Sequence, residues 1–150
     1  MKFFADRTVG KLKKILRLLG YDVADWTFDF DESPEPGNEK KERILLTRRR
    51  RPGQAIEGLR VLTVEANDPR EQVKEVLAAL QLYPEEGQFF SRCLRCNDIL
   101  EALPREAAEG RVPDFISQSH LIFHTCPRCG RIYWPGSHLR RMKEQLKKIL

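Results

Sequence analysis

The sequence predicts an α/β fold with a parallel sheet, followed by a small four-cysteine zinc ribbon and a C-terminal helix. Two observations carry this reading. Short β-like runs alternate with amphipathic helical stretches through residues 1–87, and residues 88–150 hold two C-x-x-C pairs, Cys93/Cys96 and Cys126/Cys129, with 29 residues between them. Strands that alternate with helices favour parallel pairing, because a parallel neighbour is reached only through a crossover, usually a helix. The expected division is therefore an α/β domain over 1–87 and a ribbon with its helix over 88–150.

Residues 2–5 form a short apolar run that reads as a strand. From Thr8 the apolar positions Val9, Leu12, Ile15, Leu16 and Leu19 recur at helical spacing, and Gly20 supplies a stop. Tyr21 to Val23 begins a second strand. Residues 28–38 are acidic, rich in Pro and Gly and without periodicity, which predicts a loop. Ile44 to Thr47 and Arg60 to Val64 are β-like runs flanking a basic connection that contains Pro and Gly. Asp68-Pro-Arg-Glu71 then combines an N-cap, a first-turn proline and a capping-box glutamate, opening a helix whose apolar face is Val73, Val76, Leu77 and Leu80. The pattern breaks around Pro84 to Gln88. A last helix starts near Ser137, with Leu139, Met142, Leu146 and Ile149 on one face and Arg140, Arg141, Lys143, Lys147 and Lys148 mostly elsewhere.

A C-x-x-C turn aims two sulfurs at one ion, so Cys93, Cys96, Cys126 and Cys129 supply the four thiolates of a closed tetrahedral zinc site. Gly130, after the second pair, is the residue a zinc knuckle expects. A pair of disulfides is the competing reading. It fits a secreted chain, whereas this one begins with early charge, lacks a stretch of signal-peptide length and has no segment near the roughly 20 apolar residues of a membrane span. A reducing cytoplasm is the expected compartment. A redox role is weaker still, since two pairs that saturate a metal leave no attacking thiol. A closed site has no open position for substrate, so the zinc should fold the protein rather than catalyse.

With 150 residues, 41% hydrophobic and 33% charged, the composition is that of a globular chain rather than a disordered or membrane one. The formal charge of +5 is unevenly placed: residues 1–87 hold 16 basic and 16 acidic side chains, and 88–150 hold 11 and 6. Four thiolates and one zinc ion carry a formal −2, leaving about +3. This excess favours nucleic acid without requiring it.

In a parallel α/β sheet, ligands gather beyond the carboxyl ends of the strands. Asp6 follows the first strand, Asp29 and Asp31 lie in the loop after the second, and Asn67 and Asp68 follow the strand ending at Val64. Carboxylates converging there would hold magnesium or manganese and hydrolyse a phosphodiester. The plainer alternatives are that Asp68 and Asp6 cap their helices and that Asp29 and Asp31 are solvated loop charges. The run Arg48 to Arg51 is either a phosphate contact or a solvated charge run. Arg128 and Arg131 would meet phosphates beside Phe123, Tyr133 and Trp134, which either stack bases or form the ribbon's core. His120, His124 and His138 surround the second pair, but four cysteines already satisfy a zinc.

Six segments carry a family resemblance: DRTVGKLKKILRLLGYD (Asp6 to Asp22), ILLTR (Ile44 to Arg48), VLTVEANDPREQVKEVL (Val61 to Leu77), FSRCLRCN (Phe90 to Asn97), RVPDF (Arg111 to Phe115) and CPRCGRIYWPGSHLRRM (Cys126 to Met142). In this order they resemble the Mut-seven C-terminal RNase domain family, over nearly the whole chain. The resemblance implies a PIN-like three-layer fold of Rossmann type with an acidic, metal-dependent ribonuclease site, and a four-cysteine ribbon that helps bind RNA. Asp6 falls on that family's first-strand aspartate and Asp68 on its late acidic position. Members commonly read L-L-T-R-D, where the aspartate is a central metal ligand; this chain reads Leu45-Leu46-Thr47-Arg48-Arg49. A D-D-E-L-L type helix common in the family is also replaced by a short Pro/Gly-rich interval, leaving Asp29, Asp31 or Glu32 as stand-ins. A guanidinium stays charged and repels a cation. Two functions are therefore expected: a PIN-like ribonuclease that binds RNA, with Asp6, Asp68 and the 29–32 loop forming its metal site, or a non-catalytic RNA-binding or adaptor protein that grips phosphates through its arginines and basic ribbon. A protein-interaction module without nucleic acid is a third.

Overall fold

The computed structural model describes residues 1–26, 42–50 and 58–150. Segment 28–38, Asp29 and Asp31 with it, lies outside the described residues, as does Arg51. The chain falls into two units, Met1–Phe90 and Ser91–Leu150.

The first unit is a parallel four-stranded sheet. The apolar start forms β1 (Lys2–Ala5), and a 3-10 turn (Arg7–Val9) leads into α1 (Gly10–Leu18). Gly20 ends that helix with φ +95°, its N–H on Arg17 O and the Tyr21 N–H on Leu16 O, which is a Schellman closure. Strand β2 (Asp22–Asp25) then pairs with β1, so α1 is the crossover between them. Strands β3 (Arg43–Thr47) and β4 (Arg60–Thr63) complete the order β2-β1-β3-β4, with Ala5 opposite Asp25 on one side and Leu46 on the other. Helix α2 (Pro69–Leu80) follows and packs against α1. Val73, Val76 and Leu77 are buried, as the periodicity predicts, while Leu80 is only partly so.

Alternation along the strands sorts the core into two faces. Phe4, Leu45 and Trp26 cluster on one, with Ala24 and Leu59 against them. Phe3, Val23, Ile44 and Leu46 share the other by register, and all are buried. Helix α1 turns Leu12 and Leu16 inward, and also Arg17, which is 2% exposed. That guanidinium donates from Nε and Nη2 to Val23 O, at 3.0 and 2.7 Å, and so ties the crossover to β2. This contact is not predictable from the helical pattern, which puts a basic residue on a wet face.

In the second unit β5 (Glu101–Leu103), β6 (Phe123–Thr125) and β7 (Ile132–Tyr133) form an antiparallel sheet in that order. Two short helices missed by the periodicity, α3 (Arg105–Ala108) and α4 (Asp114–Ser119), lie between β5 and β6. Each follows a proline, Pro104 or Pro113, whose fixed φ suits a helix entrance. Ala108, Val112 and Phe123 form the core, joined by Leu103, Ile116, Ile132 and Trp134. The chain closes with α5 (Ser137–Ile149), of which Leu146 is buried. No helix among the described residues is long and apolar enough to cross a membrane.

Candidate metal centre and nucleic-acid interface

The four cysteine sulfurs lie within 4.8 Å of one another, and Cys93 and Cys129 Sγ are 3.8 Å apart. A tetrahedral ion with metal–sulfur bonds of about 2.3 Å holds its sulfurs about 3.8 Å apart, so the set fits one metal ion. The two pairs are folded alike. The Cys93 carbonyl accepts from Asn97 N and its amide donates to Asp98 O; Cys126 does the same with Gly130 N and Arg131 O. Cys96 N points at Cys93 Sγ and Cys129 N at Cys126 Sγ, at 3.4 and 3.5 Å. Such a turn needs a left-handed residue after its second cysteine. Gly130 (φ +74°) meets that need, and so does Asn97 (φ +71°), one of the few other residues that tolerate it.

The aromatic residues around the pairs are committed to the fold. Phe123 is 1% exposed and meets Trp134 at 6.5 Å between ring centroids. The Tyr133 hydroxyl lies 3.2 Å from Cys93 Sγ. Arg128 is exposed and donates to Asp98 Oδ2 at 2.9 Å, and Arg131 is exposed. No histidine joins the cysteine set.

Burial opposes ionisation of Cys93, but the Tyr133 hydroxyl and the amides of Cys96 and Arg95 outweigh it and hold the thiol down at about 6. Burial pushes Cys96 up to about 12, reinforced by contacts with Cys129 and Cys126 and by the charge of Cys93. Burial raises Cys126 as well. Before a metal arrives, then, one thiolate is ready near neutrality while Cys96 and Cys126 hold protons that binding must expel. For Cys93 the folded value lies below the ordinary 9.0, so its contribution is complete above that value and is lost as pH falls through about 6. Metal affinity should drop steeply on acidification, with proton release on binding; competition with a chelator between pH 8 and 5 measures the first and calorimetry in buffers of different ionisation enthalpy the second.

The second candidate site is the carboxyl end of the parallel sheet. Asp6 stands there at the head of β1, 6% exposed. Its Oδ1 accepts from Thr8 N (2.9 Å) and Thr8 Oγ1 (2.5 Å), and its Oδ2 accepts from the Thr47 hydroxyl at the end of β3. Asp68 is exposed and caps α2, its Oδ1 taking the Arg70 amide at 2.8 Å. Among the described residues, the four cysteines are the only set of three or more Cys, His, Asp or Glu with ligand atoms close enough to share an ion, and neither Asp6 nor Asp68 belongs to such a set. Exposed arginines leave from the same end: Arg48 and Arg49 follow β3 directly, and Arg48 Nη2 donates to Asn67 Oδ1 in the loop after β4. That loop is anchored to α2, since Glu75 accepts the amides of Glu65 and Ala66 at 2.9 and 3.0 Å and Gln72 donates to Ala66 O at 2.9 Å. Asn67 was named from sequence only for its place after β4, and Thr47 and Glu75 were not singled out as site residues. Their partners lie on other elements, which periodicity does not reveal.

Fold and sites together define a parallel-sheet α/β unit followed in the chain by an antiparallel unit whose four cysteines cluster closely enough to hold a metal ion. The chain matches the Mut7-C RNAse domain family over residues 1–146 and belongs to that family. No curated protein matches the chain, and no solved structure does.

Proposed function

We propose that the protein is a PIN-like ribonuclease-family protein that binds RNA, engaging the phosphate backbone at the carboxyl end of its parallel sheet, with zinc held by Cys93, Cys96, Cys126 and Cys129 as a structural ion. The observation that carries the reading is the exit of Arg48 and Arg49 from β3 beside the buried Asp6, in a chain of an RNase domain family. Two guanidinium groups favour phosphate at the place where the family resemblance implies a cation. In the second unit, Arg128 and Arg131, exposed on the second knuckle, offer phosphate contacts of their own. In functional terms the division is 1–87 for the sheet and its RNA-facing end, and 88–150 for the ribbon with its helix. The cytoplasm is the compartment that suits four reduced thiols.

A second reading has its own support. Asp6 is a buried carboxylate at the head of a central strand, and with Asp68, Asp29 and Asp31 it would form a magnesium or manganese site for phosphodiester hydrolysis. Arg49 weighs against it. Incubating single-stranded and structured RNA with the protein and either metal, alongside Asp6→Asn and Arg49→Asp, separates the two. The expected result is no cleavage by the natural sequence. Cleavage that Asp6→Asn abolishes would establish the hydrolytic reading instead.

A further inference from the structure

Asp6 does more at the sheet end than fill the head of a strand. A carboxylate only accepts, so the two threonine hydroxyls beside it must each spend their single proton on Asp6. Their lone pairs then face outward, and each takes a backbone amide of the chain leaving β3. Thr8 Oγ1 accepts from Arg48 N at 2.9 Å, and Thr47 Oγ1 accepts from Arg49 N at 3.1 Å. One buried charge thus fixes the direction of two hydroxyls, and through them two consecutive amides. Both residues held this way are exposed arginines.

The far side of the platform is also fixed. Arg48 reaches Asn67 across the sheet end, and the Asn67 loop is tied to α2 by Glu75 and Gln72. A guanidinium has five N–H donors, so the bond to Asn67 leaves others of Arg48 for a ligand. An open carboxylate here would repel a phosphate, but three donors converge on Asp6 and it lies behind the chain that carries the arginines.

We propose that Asp6 is a positioning residue that acts through Thr8 and Thr47 to set the backbone at Arg48 and Arg49, so that these two arginines are preorganised for RNA phosphates. The inference rests on the RNA-binding reading above and gives Asp6 a role that needs no metal. Preorganisation raises affinity by removing the entropy of ordering the chain at the moment of binding. Loosening either tether should therefore weaken RNA binding although no residue that touches RNA is changed.

The test uses the full zinc-loaded chain and a labelled oligouridylate, titrated at several salt concentrations. Thr47 is fully buried, so Thr47→Val removes the hydroxyl at nearly constant shape, and Thr47→Ser restores it. Thr8→Ala cuts the Arg48 tether at an exposed position and leaves the Thr8 amide on Asp6. Thr47→Val and Thr8→Ala should each weaken binding about tenfold, with a salt slope shallower by about one phosphate contact, near 0.7 in log–log terms. Thr47→Ser should keep natural values. In the free protein, amide exchange at Arg49 should speed up in Thr47→Val, and at Arg48 in Thr8→Ala. Natural affinity and slope in both variants, with binding weakened by Arg48→Ala/Arg49→Ala, would overturn the positioning role and leave the RNA reading standing. A natural protein with no affinity for the oligonucleotide would overturn that reading and this inference with it.

Discussion

Stripping the metal from the cysteine site should unfold Ser91–Leu150 and leave Met1–Phe90 folded. The second unit has little else to hold it. Its sheet strands are two or three residues long, and its core centres on Ala108, Val112 and Phe123. Structural zinc in zinc-finger peptides contributes an apparent ~10–16 kcal/mol, against a whole-domain stability of ~5–15 kcal/mol. Cys126→Ser should act like the chelator. The first unit has its own core, with Phe3, Leu12, Leu16, Val23, Leu45 and Leu46 all 0% exposed. Backbone NMR before and after chelation reads both units at once; persistence of ordered ribbon signals in zinc-free protein would show that the metal is not structural.

Gly20→Ala should cost the first unit about 3 kcal/mol or more, above the usual range for a single methyl group. Two effects add. At φ +95° an L side chain is strained, by roughly 1–2 kcal/mol. A Cβ there would also stand 2.4 Å from Gln88 O and 2.8 Å from Gln88 Cβ, so backbone must move. What moves is the segment that closes over the end of α1, where Phe90 N donates to Leu18 O at 2.8 Å. Gly10→Ala is the matched control: it has αR geometry and open space, so it should be neutral or stabilising by up to about 1 kcal/mol. Denaturant midpoints of the two variants decide the matter. A Gly20→Ala midpoint equal to the control's would contradict the close approach to Gln88.

The features legible in the sequence are those written in local pattern. Apolar alternation and helical spacing found β1, α1, β3, β4 and α2, and Asp68-Pro-Arg marked a helix cap that the Asp68–Arg70 bond bears out. The two C-x-x-C pairs located the cysteine cluster that can hold a metal ion, because each knuckle is a closed local turn. What escaped depends on partners far along the chain. Thr47 is 41 residues from Asp6, so nothing near Asp6 announces that its second oxygen is taken. Arg17 is buried because Val23 O lies within reach, against the rule that places basic residues outside. Asn97 matches Gly130 in its knuckle, yet the sequence singles out only the glycine, because asparagine in the left-handed region is a minority choice. Tyr133 and Trp134 were open between stacking on bases and packing; Trp134 joins the core around Phe123, and Tyr133 turns its hydroxyl to Cys93.

RNA binding measured against salt, for the natural protein and for Arg48→Ala/Arg49→Ala, tests the central claim most directly. Each phosphate neutralised on a single strand contributes about 0.7 to the slope of log affinity against log salt. The account predicts affinity that falls linearly on that plot for the natural protein, and a weaker, shallower line for the double variant. No affinity at low salt, or a line that the double variant leaves unmoved, would contradict it and turn attention from the sheet end to a protein partner.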